Sequence, residues 1–339
     1  MRVIQVGAGG FGRTWLPRVR SDDTVSLAAL VDVDEATLDA AREATGLSPS
    51  ACLTDFRKAF RTVQAEAVLI VTPAPLHHEV ALAAFDCGLH VLTEKPLADS
   101  MPHACLVVEA ARRAGRALMV SQNYRFRPWA RTMRRIIRSG EFGRPEALSV
   151  RFARSVSFRD ALRARLDRPL VRDMSIHHFD LMRALTGRDP VTVYARTWQP
   201  SWSPFEEDAC AAALLEFEDG LKVVYEGSWV SRGPQTAWDG HWSVECRDAL
   251  LEFCDGRVHV RPSAHPDTDS EVELDPGPVS GQAAVLAEFR RAVAEGREPE
   301  TSGRDNLVSL ATAMAVAQSS RERRPVSVAE LLEASDRTP

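Results

Sequence analysis

From residue 1 to about 120 the chain alternates short apolar runs with longer stretches whose apolar residues recur every three to four positions. The runs Val3–Val6, Leu27–Val31, Ala67–Val71, His90–Thr93 and Ala117–Val120 have strand length and composition. Amphipathic stretches at about 34–45, 78–87 and 100–114 lie between them. These three end in Gly46, Gly88 and Gly115, where a left-handed helix C-cap belongs. Strand and helix in strict alternation predict a doubly wound parallel sheet. Beyond Arg127-Pro128 the period changes. A helix is expected near 129–139, a strand at about 146–156, an arginine-rich segment without clear period, and a helix beginning around Arg172. Alternating runs follow at 191–198, 208–217, 221–229, 241–246, 249–254 and 257–261, with connections such as Glu218-Asp219-Gly220 that predict antiparallel hairpins. Helical patterns near 282–295 and 304–321 close the chain. The expected architecture is an α/β domain over 1–122 and an α+β domain dominated by antiparallel sheet over 123–339.

Composition narrows the partners. A length of 339 residues suits two domains, and 45% hydrophobic with 26% charged residues excludes disorder and a disulfide scaffold. The formal charge is −5, with basic residues interleaved among 47 acidic ones, so no nucleic acid or anionic membrane surface is expected as partner. A small neutral or anionic metabolite fits better. The six cysteines fall at wide spacings with no Cys-x-x-Cys pair, which predicts reduced thiols and no zinc ribbon. No apolar stretch approaches the roughly 20 residues a membrane helix needs, and Met1-Arg2 leads directly into a strand, so a soluble, cytoplasmic protein is expected. Of 42 basic residues only Lys58, Lys95 and Lys222 are lysine. Each lysine is therefore a minority choice, to be asked what an ammonium does that a guanidinium cannot.

Gly7-Ala8-Gly9-Gly10-Phe11-Gly12 matches the GxGxxG pattern, and its context confirms it: strand Val3–Val6 before, a helical pattern to about Arg20 after, and Asp32 at the end of the next strand. The glycines allow a tight turn and close backbone approach to a pyrophosphate at a helix N-terminus. Asp32 would accept hydrogen bonds from the adenosine ribose and repel an extra phosphate, favouring NAD, while Arg13 and Arg42 leave NADP open. Thr72-Pro73 leads to His77-His78 outside the carboxyl end of a strand, where such sheets bind ligands, although either histidine could simply occupy a helix first turn. At the next carboxyl end stands Glu94-Lys95-Pro96. A proline after Lys95 favours extended backbone there and permits a cis bond, which would aim the lysine from a loop.

In the run Asp173 to Arg183, Asp173, His177 and Asp180 sit at i, i+4 and i+7, on one helical stripe surrounded by apolar residues. A carboxylate one turn from an imidazole can orient it as a general base. A structural His/Asp pair is the alternative. Metal is not expected, since Asp-x-x-x-His alone supplies too few ligands. Five tryptophans, Trp198, Trp202, Trp229, Trp238 and Trp242, fall in the antiparallel part, as sheet packing or as a platform for a sugar ring or a subunit.

With these motifs the chain resembles the Gfo/Idh/MocA family of NAD(P)-dependent oxidoreductases over essentially its whole length. The likeness rests on the glycine loop at 7–12, Thr72-Pro73 with His77, the His90 to Pro96 run, Asn123-Tyr124-Arg125 and the Asp173 to Asp180 segment. It implies a Rossmann domain followed by a domain whose large open-faced, mainly antiparallel sheet mediates homodimers or homotetramers, and a sugar, polyol or sugar derivative as substrate. It also assigns roles. Lys95 would hydrogen-bond the reacting oxygen, Asp173 and His177 would handle the proton, Glu94 would lie near the nicotinamide ribose, and Tyr124-Arg125 would reach the substrate. The glycines that usually precede the aspartate are here Pro169-Leu170-Val171-Arg172, and Ser175 replaces a further glycine. Arg168 and Arg172 could read an acidic substituent. The leading expectation is reversible hydride transfer between NAD(H) and a secondary carbinol. A glycoside hydrolase that oxidises transiently and a non-catalytic dinucleotide-binding sensor are the alternatives.

Overall fold

The computed structural model describes residues 1–156, 166–277 and 279–336; most of the arginine-rich segment expected after the strand ending near 156 lies outside the described residues. The chain divides into two units. One comprises Met1–Asn123 with Val279–Leu307, the other the described parts of Tyr124–Pro278 and Val308–Arg337.

In the first unit six strands, β1 (Arg2–Val6), β2 (Ser26–Val31), β3 (Cys52–Leu53), β4 (Ala67–Ile70), β5 (His90–Thr93) and β6 (Leu118–Val120), form one sheet in the order β3-β2-β1-β4-β5-β6. All five pairings are parallel. Helices cover both faces, which is why Ala67–Ile70 is buried at every position and reads as an unbroken apolar run. The helices between these strands are α1 (Gly12–Arg20), α2 (Glu35–Thr45), α3 (Phe56–Thr62), α4 (His77–Asp86) and α5 (Met101–Ala114). Their ends follow local chemistry. Asp34 accepts from the Thr37 N–H at the start of α2, Ser100 from His103 N–H at the start of α5, and Gly46 and Gly115 close the same helices at φ 72° and 61°. The two-residue β3 and the helix α3 were not predicted as a strand and helix pair, because neither carries enough residues for a period. The strand order reverses between β1 and β4, so the loops after these strands flank the switch point where doubly wound sheets bind ligands.

The second unit carries α6 (Pro128–Ser139), β7 (Pro145–Ala153), α7 (Ile176–Thr186), β8 (Pro190–Trp198), β9 (Cys210–Phe217), β10 (Lys222–Ser228), β11 (His241–Cys246), β12 (Ala249–Cys254), β13 (Arg257–Pro262), β14 (Ser270–Val272) and β15 (Val326–Ser327). These nine strands form one sheet, antiparallel except where β10 runs parallel to β7. The hairpin expected at Glu218-Asp219-Gly220 joins β9 to β10, with Asp219 and Gly220 both left-handed. Burial alternates along the strands. One face packs into the core, where Trp229 and Trp242 lie, and the other is open. On α6, Trp129 stacks on Phe253 with ring centroids 3.9 Å apart.

One feature departs from the expected division at residue 122. Residues 279–307 return to the first unit, where Thr301 Oγ donates to Val120 O at 2.6 Å and Val120 N donates to Thr301 O at 2.8 Å. Gly303 sits so close to β6 that an added Cβ would lie 2.3 Å from the Leu118 side chain. Among the described residues no helix is long and apolar enough to cross a membrane.

Candidate active site

The loop after β1 is built by its glycines in two different ways. A Cβ on Gly7, whose φ is 95°, would fall 2.5 Å from Val71 O, and one on Gly12 would fall 2.3 Å from Gly7 O. Both glycines are required by the loop's own close packing. At Gly10, with φ 47°, nothing lies within 4 Å, so the outer backbone is open to a ligand. Gln5, fully buried and not singled out by any sequence motif, fixes the turn by donating Nε2 to both Gly7 O and Gly12 O at 2.9 Å. Asp32 sits beside the loop. Its Oδ2 accepts from Ala8 N at 2.8 Å and Gly9 N at 3.3 Å, and Oδ1 from Asp34 N at 3.1 Å. Arg42 turns away to Asp39, at 3.2 Å, and Phe11 is exposed.

At the end of β4 the Thr72 hydroxyl is buried with no hydrogen-bond partner, a polar atom that a ligand can satisfy. His77 does not present a free ring nitrogen to a cofactor. Its Nδ1 lies 2.8 Å from Pro96 O and its Nε2 2.8 Å from Thr72 O, and burial holds its pKa below the ordinary histidine range. Its contribution to the site is to clasp the Thr72-Pro73 loop to the Lys95-Pro96 loop. Glu94, at the end of β5, is also buried. Burial raises its carboxyl pKa against the opposing pull of the Lys95 charge and of the indole N–H of Trp15, which donates to Oε1 at 2.9 Å. Trp15 is a support that no local pattern announced. The Lys95-Pro96 peptide is cis, and Lys95 is partly buried. The glycine loop, Thr72 and Glu94-Lys95 thus follow three neighbouring parallel strands at their carboxyl ends. Open backbone at a helix N-terminus, a carboxylate beside it and an orphaned hydroxyl together fit a dinucleotide.

In the second unit the helix expected from Arg172 begins with a π-helical stretch, Leu170–Ser175, and continues as α7. Asp173 lies in the π stretch and His177 in the first turn of α7, so the uniform α-helical stripe expected for Asp173, His177 and Asp180 is phase-shifted at its start. The His177 ring is buried and stacks on Tyr124, with centroids 4.6 Å apart and planes 9° from parallel. The Arg127 guanidinium carbon lies 3.9 Å from the Tyr124 ring centroid, and Arg127 is paired with Asp239, which also accepts from Trp129 Nε1 at 2.8 Å. The Tyr124 hydroxyl donates to Trp238 O at 3.1 Å. Burial raises its pKa to about 12, so it stays a neutral phenol. Trp238 and Asp239 join Tyr124 and Arg127 from more than 100 positions away, and neither they nor Arg127 carry a sequence signal for this assembly.

Arg125, expected to reach the substrate, instead turns inward. Its Nε and Nη2 bind the two Asp180 oxygens at 2.6 and 2.7 Å, and Ser309 Oγ adds a third hydrogen bond to Asp180 at 2.9 Å. Arg168 and Arg172, expected to read an acidic substituent, converge on Asp167. His178, next to the proposed base, is fully buried 3.1 Å from the Tyr225 hydroxyl, and burial, with the Arg127 charge, lowers its pKa to about 3. Of the two adjacent histidines only His177 is stacked against a partly polar assembly. Of the tryptophans, Trp229 and Trp242 are core, whereas Trp198, Trp202 and Trp238 are exposed.

Residues 1–122 match the model of an oxidoreductase family with an NAD-binding Rossmann fold, and residues 130–252 match the GFO/IDH/MocA C-terminal domain. An uncharacterised protein, y4oX, of Sinorhizobium fredii is 31% identical over 98% of this chain and 97% of its own. A D-apiose dehydrogenase of Paraburkholderia graminis is 32% identical over 96% of this chain and 89% of its own. In fold, the chain is similar to the crystal structure of an Agrobacterium radiobacter oxidoreductase in complex with NAD+, L-tartaric acid and magnesium. There the TM-score is 0.89 at 22% identity, covering 98% of this chain and 99% of the other.

Proposed function

The chain belongs to the Gfo/Idh/MocA family of NAD-binding oxidoreductases, and from that premise we propose that it is a dehydrogenase or reductase acting on a secondary alcohol of a sugar, polyol or sugar derivative. A nicotinamide dinucleotide supplies the two-electron acceptor or donor. NAD is favoured over NADP by the Asp32 carboxylate beside the glycine loop, which would repel a further phosphate on the ribose. Gly9 and Gly10 offer open backbone to the pyrophosphate, and the Thr72 hydroxyl a hydrogen bond. His177 takes the alcohol proton in the oxidation direction, and Asp173 orients it. Tyr124, stacked on the His177 ring, fixes the plane in which that proton is exchanged. Lys95 donates a hydrogen bond to the reacting oxygen, a task for an ammonium whose proton can be shared, which a permanently charged guanidinium does poorly. Arg125 is a positioning residue in this scheme, holding the Tyr124 segment through Asp180.

The single observation that carries the reading is the sequence of chemistry along neighbouring carboxyl ends of the parallel sheet: glycine loop after β1, orphaned Thr72 hydroxyl after β4, Glu94-Lys95 after β5. The relatives whose names give an activity include a D-apiose dehydrogenase, a 1,5-anhydro-D-fructose reductase and an inositol 2-dehydrogenase, which does not favour a transient-oxidation glycosidase or a sensor. The open sheet face supports a homodimer or homotetramer. Tyr194, Leu214 and Val224 stand in one cross-strand row on it, all exposed. Six cysteines with no disulfide among them agree with a reducing, cytoplasmic location.

The test is a screen of sugars and polyols with NAD and NADP, following the reduced nicotinamide, and then the two variants His177→Ala and Lys95→Arg. Each is expected to lose roughly 10²–10⁴-fold in turnover with dinucleotide affinity retained. Near-normal turnover in both variants would remove the assignment.

A further inference from the structure

We propose that His78, Asp99 and His103 form a site for a divalent ion of the zinc class, separate from the residues assigned to the redox reaction. Each offers one ligand atom, and the three atoms lie within 4.8 Å of one another. His78 stands in the first turn of α4, and Asp99 and His103 flank the start of α5. His103 Nδ1 and Asp99 Oδ1 are already 2.7 Å apart, and both side chains are about one-third exposed, 38% and 34%, so an ion can arrive from solvent. The His78 Nδ1 atom is buried and has no hydrogen-bond partner. The His78 ring, stacked on His103, thus carries a buried nitrogen whose hydrogen-bonding capacity no protein group meets, as expected of a residue whose partner is a ligand.

The donor set fits the ion class. Two imidazoles and one carboxylate are borderline ligands that suit Zn²⁺, Co²⁺ or Ni²⁺ better than Ca²⁺ or Mg²⁺, which want oxygen. Three protein ligands leave a fourth position for water. With metal-to-ligand bonds of about 2.0–2.2 Å, tetrahedral ligands stand roughly 3.3–3.5 Å apart, so the His103–Asp99 pair, at 2.7 Å, must open by a fraction of an ångström, an adjustment that side-chain rotation can supply. One rearrangement is required. The His78 and His103 rings are stacked 3.7 Å apart with planes 10° from parallel, and a bound metal must lie in the plane of each ring that holds it. One imidazole therefore swings about χ2, exchanging the stack for a coordination bond.

Asp99-x-x-x-His103 has the same spacing as Asp173-x-x-x-His177, and sequence reasoning expects no metal from such a pair for want of ligands. Here the fold supplies the missing one, from the preceding helix. An ion at this point would fasten the starts of α4 and α5 to each other. His77, adjacent to His78, clasps the Lys95-Pro96 loop, so the fastening would reach that loop. The other such cluster among the described residues, His241, Cys254 and Asp255, has an Asp255 side chain that is 77% exposed. It serves as the internal comparison.

The experiment uses the full chain freed of metal by a chelator. Co²⁺ is titrated and followed by its visible ligand-field absorption, Zn²⁺ is then added as competitor, and melting temperature is recorded with and without Zn²⁺. One equivalent of Co²⁺ is expected to bind, with a Zn²⁺-dependent rise in melting temperature as required when an ion binds only the folded state. His78→Ala, Asp99→Asn and His103→Ala are each expected to weaken the ion by at least about tenfold, the lower end of what removing even an outer partner of a ligand costs. Circular dichroism and NAD binding verify that each variant is folded. Three results overturn the proposal: no Co²⁺ absorption and no Zn²⁺-dependent shift in the unsubstituted chain, affinity in the three variants equal to that of the unsubstituted chain, or loss of binding on Cys254→Ala alone.

Discussion

Arg125 is 6% exposed and Asp180 not exposed at all, so each charge is tolerable only because the other faces it. The bidentate geometry, with Ser309 on the same carboxylate, leaves little of either group unsatisfied. Removing one partner strands the other. Arg125→Ala is expected to lower unfolding free energy by about 3–5 kcal/mol, whereas the double variant Arg125→Met with Asp180→Leu recovers most of that loss, because two apolar groups need no pairing. Urea denaturation of the three chains measures both numbers. An Arg125→Ala chain as stable as the original, yet weak in substrate affinity, would return Arg125 to the substrate. At this scale the sequence was legible where chemistry repeats locally: the glycines, Asp32, and Lys95 as one lysine of three. It was silent on Gln5, Trp15, Arg127 and Asp239: Trp15 and Asp239 act on residues to which no spacing links them, and Gln5 and Arg127, though near in sequence to what they hold, belong to no motif.

Among the elements, the glycines separate two kinds of constraint. Gly12 is required by contact, because a Cβ there meets Gly7 O at 2.3 Å, whereas Gly115 is required by backbone angle alone, with nothing within 4 Å. Gly12→Ala is therefore expected to distort the loop and abolish measurable NAD binding. Gly115→Ala is expected to cost about 1 kcal/mol of stability and leave NAD affinity unchanged. Paired dinucleotide titrations and thermal melts distinguish the two, and equal effects on NAD binding would contradict the account. The helix bearing His177 shows the limit of pattern reading. Its apolar surround and polar positions were visible, but the π-helical Leu170–Ser175 stretch was not, and it changes the angular relation of Asp173 to the rest. Periodicity assumes one pitch throughout, and a change of pitch is decided by packing.

For the molecule as a whole, acid stability should be set by groups held unprotonated or neutral inside it. His178, lowered to about 3 by burial and the Arg127 charge, stays neutral in the folded chain while the unfolded chain takes up a proton near 6.5. Above pH 6.5 it contributes no penalty. Between 6.5 and about 3 it removes roughly 1.4 kcal/mol per pH unit. Glu288 adds to the same limb lower down. Burial raises its pKa, but hydrogen bonds from Arg297 and Arg291 outweigh that and bring it to about 2, so its contribution is present above 4.5 and lost as pH falls toward 2. Denaturation midpoints measured from pH 8 to pH 4 should fall with pH, and His178→Gln should flatten the slope between 6.5 and 4.5. An unchanged slope in that variant would show that the acid limb has another origin. The same reading at whole-chain scale expected a cut at residue 122. The return of 279–307 to β6 was invisible, since helical periodicity shows that a segment is amphipathic and not which surface it covers.

What the sequence determined by itself is whatever a few consecutive residues dictate: strands by apolar runs, helix ends by caps and glycines, the dinucleotide loop by its spacing, the family by the conjunction of Glu94-Lys95-Pro96 with Asp173-x-x-x-His177. These depend on local sterics and periodicity, which the order of residues states directly. The tertiary structure alone decided that Tyr124 stacks on His177, that Arg125 is spent on Asp180, that His77 clasps two loops, and that His78 meets Asp99 and His103. Apart from His77 with Thr72, five positions away, those pairings join residues 19 to 55 positions apart, and which distant groups meet follows from how sheets and helices bury their apolar faces together.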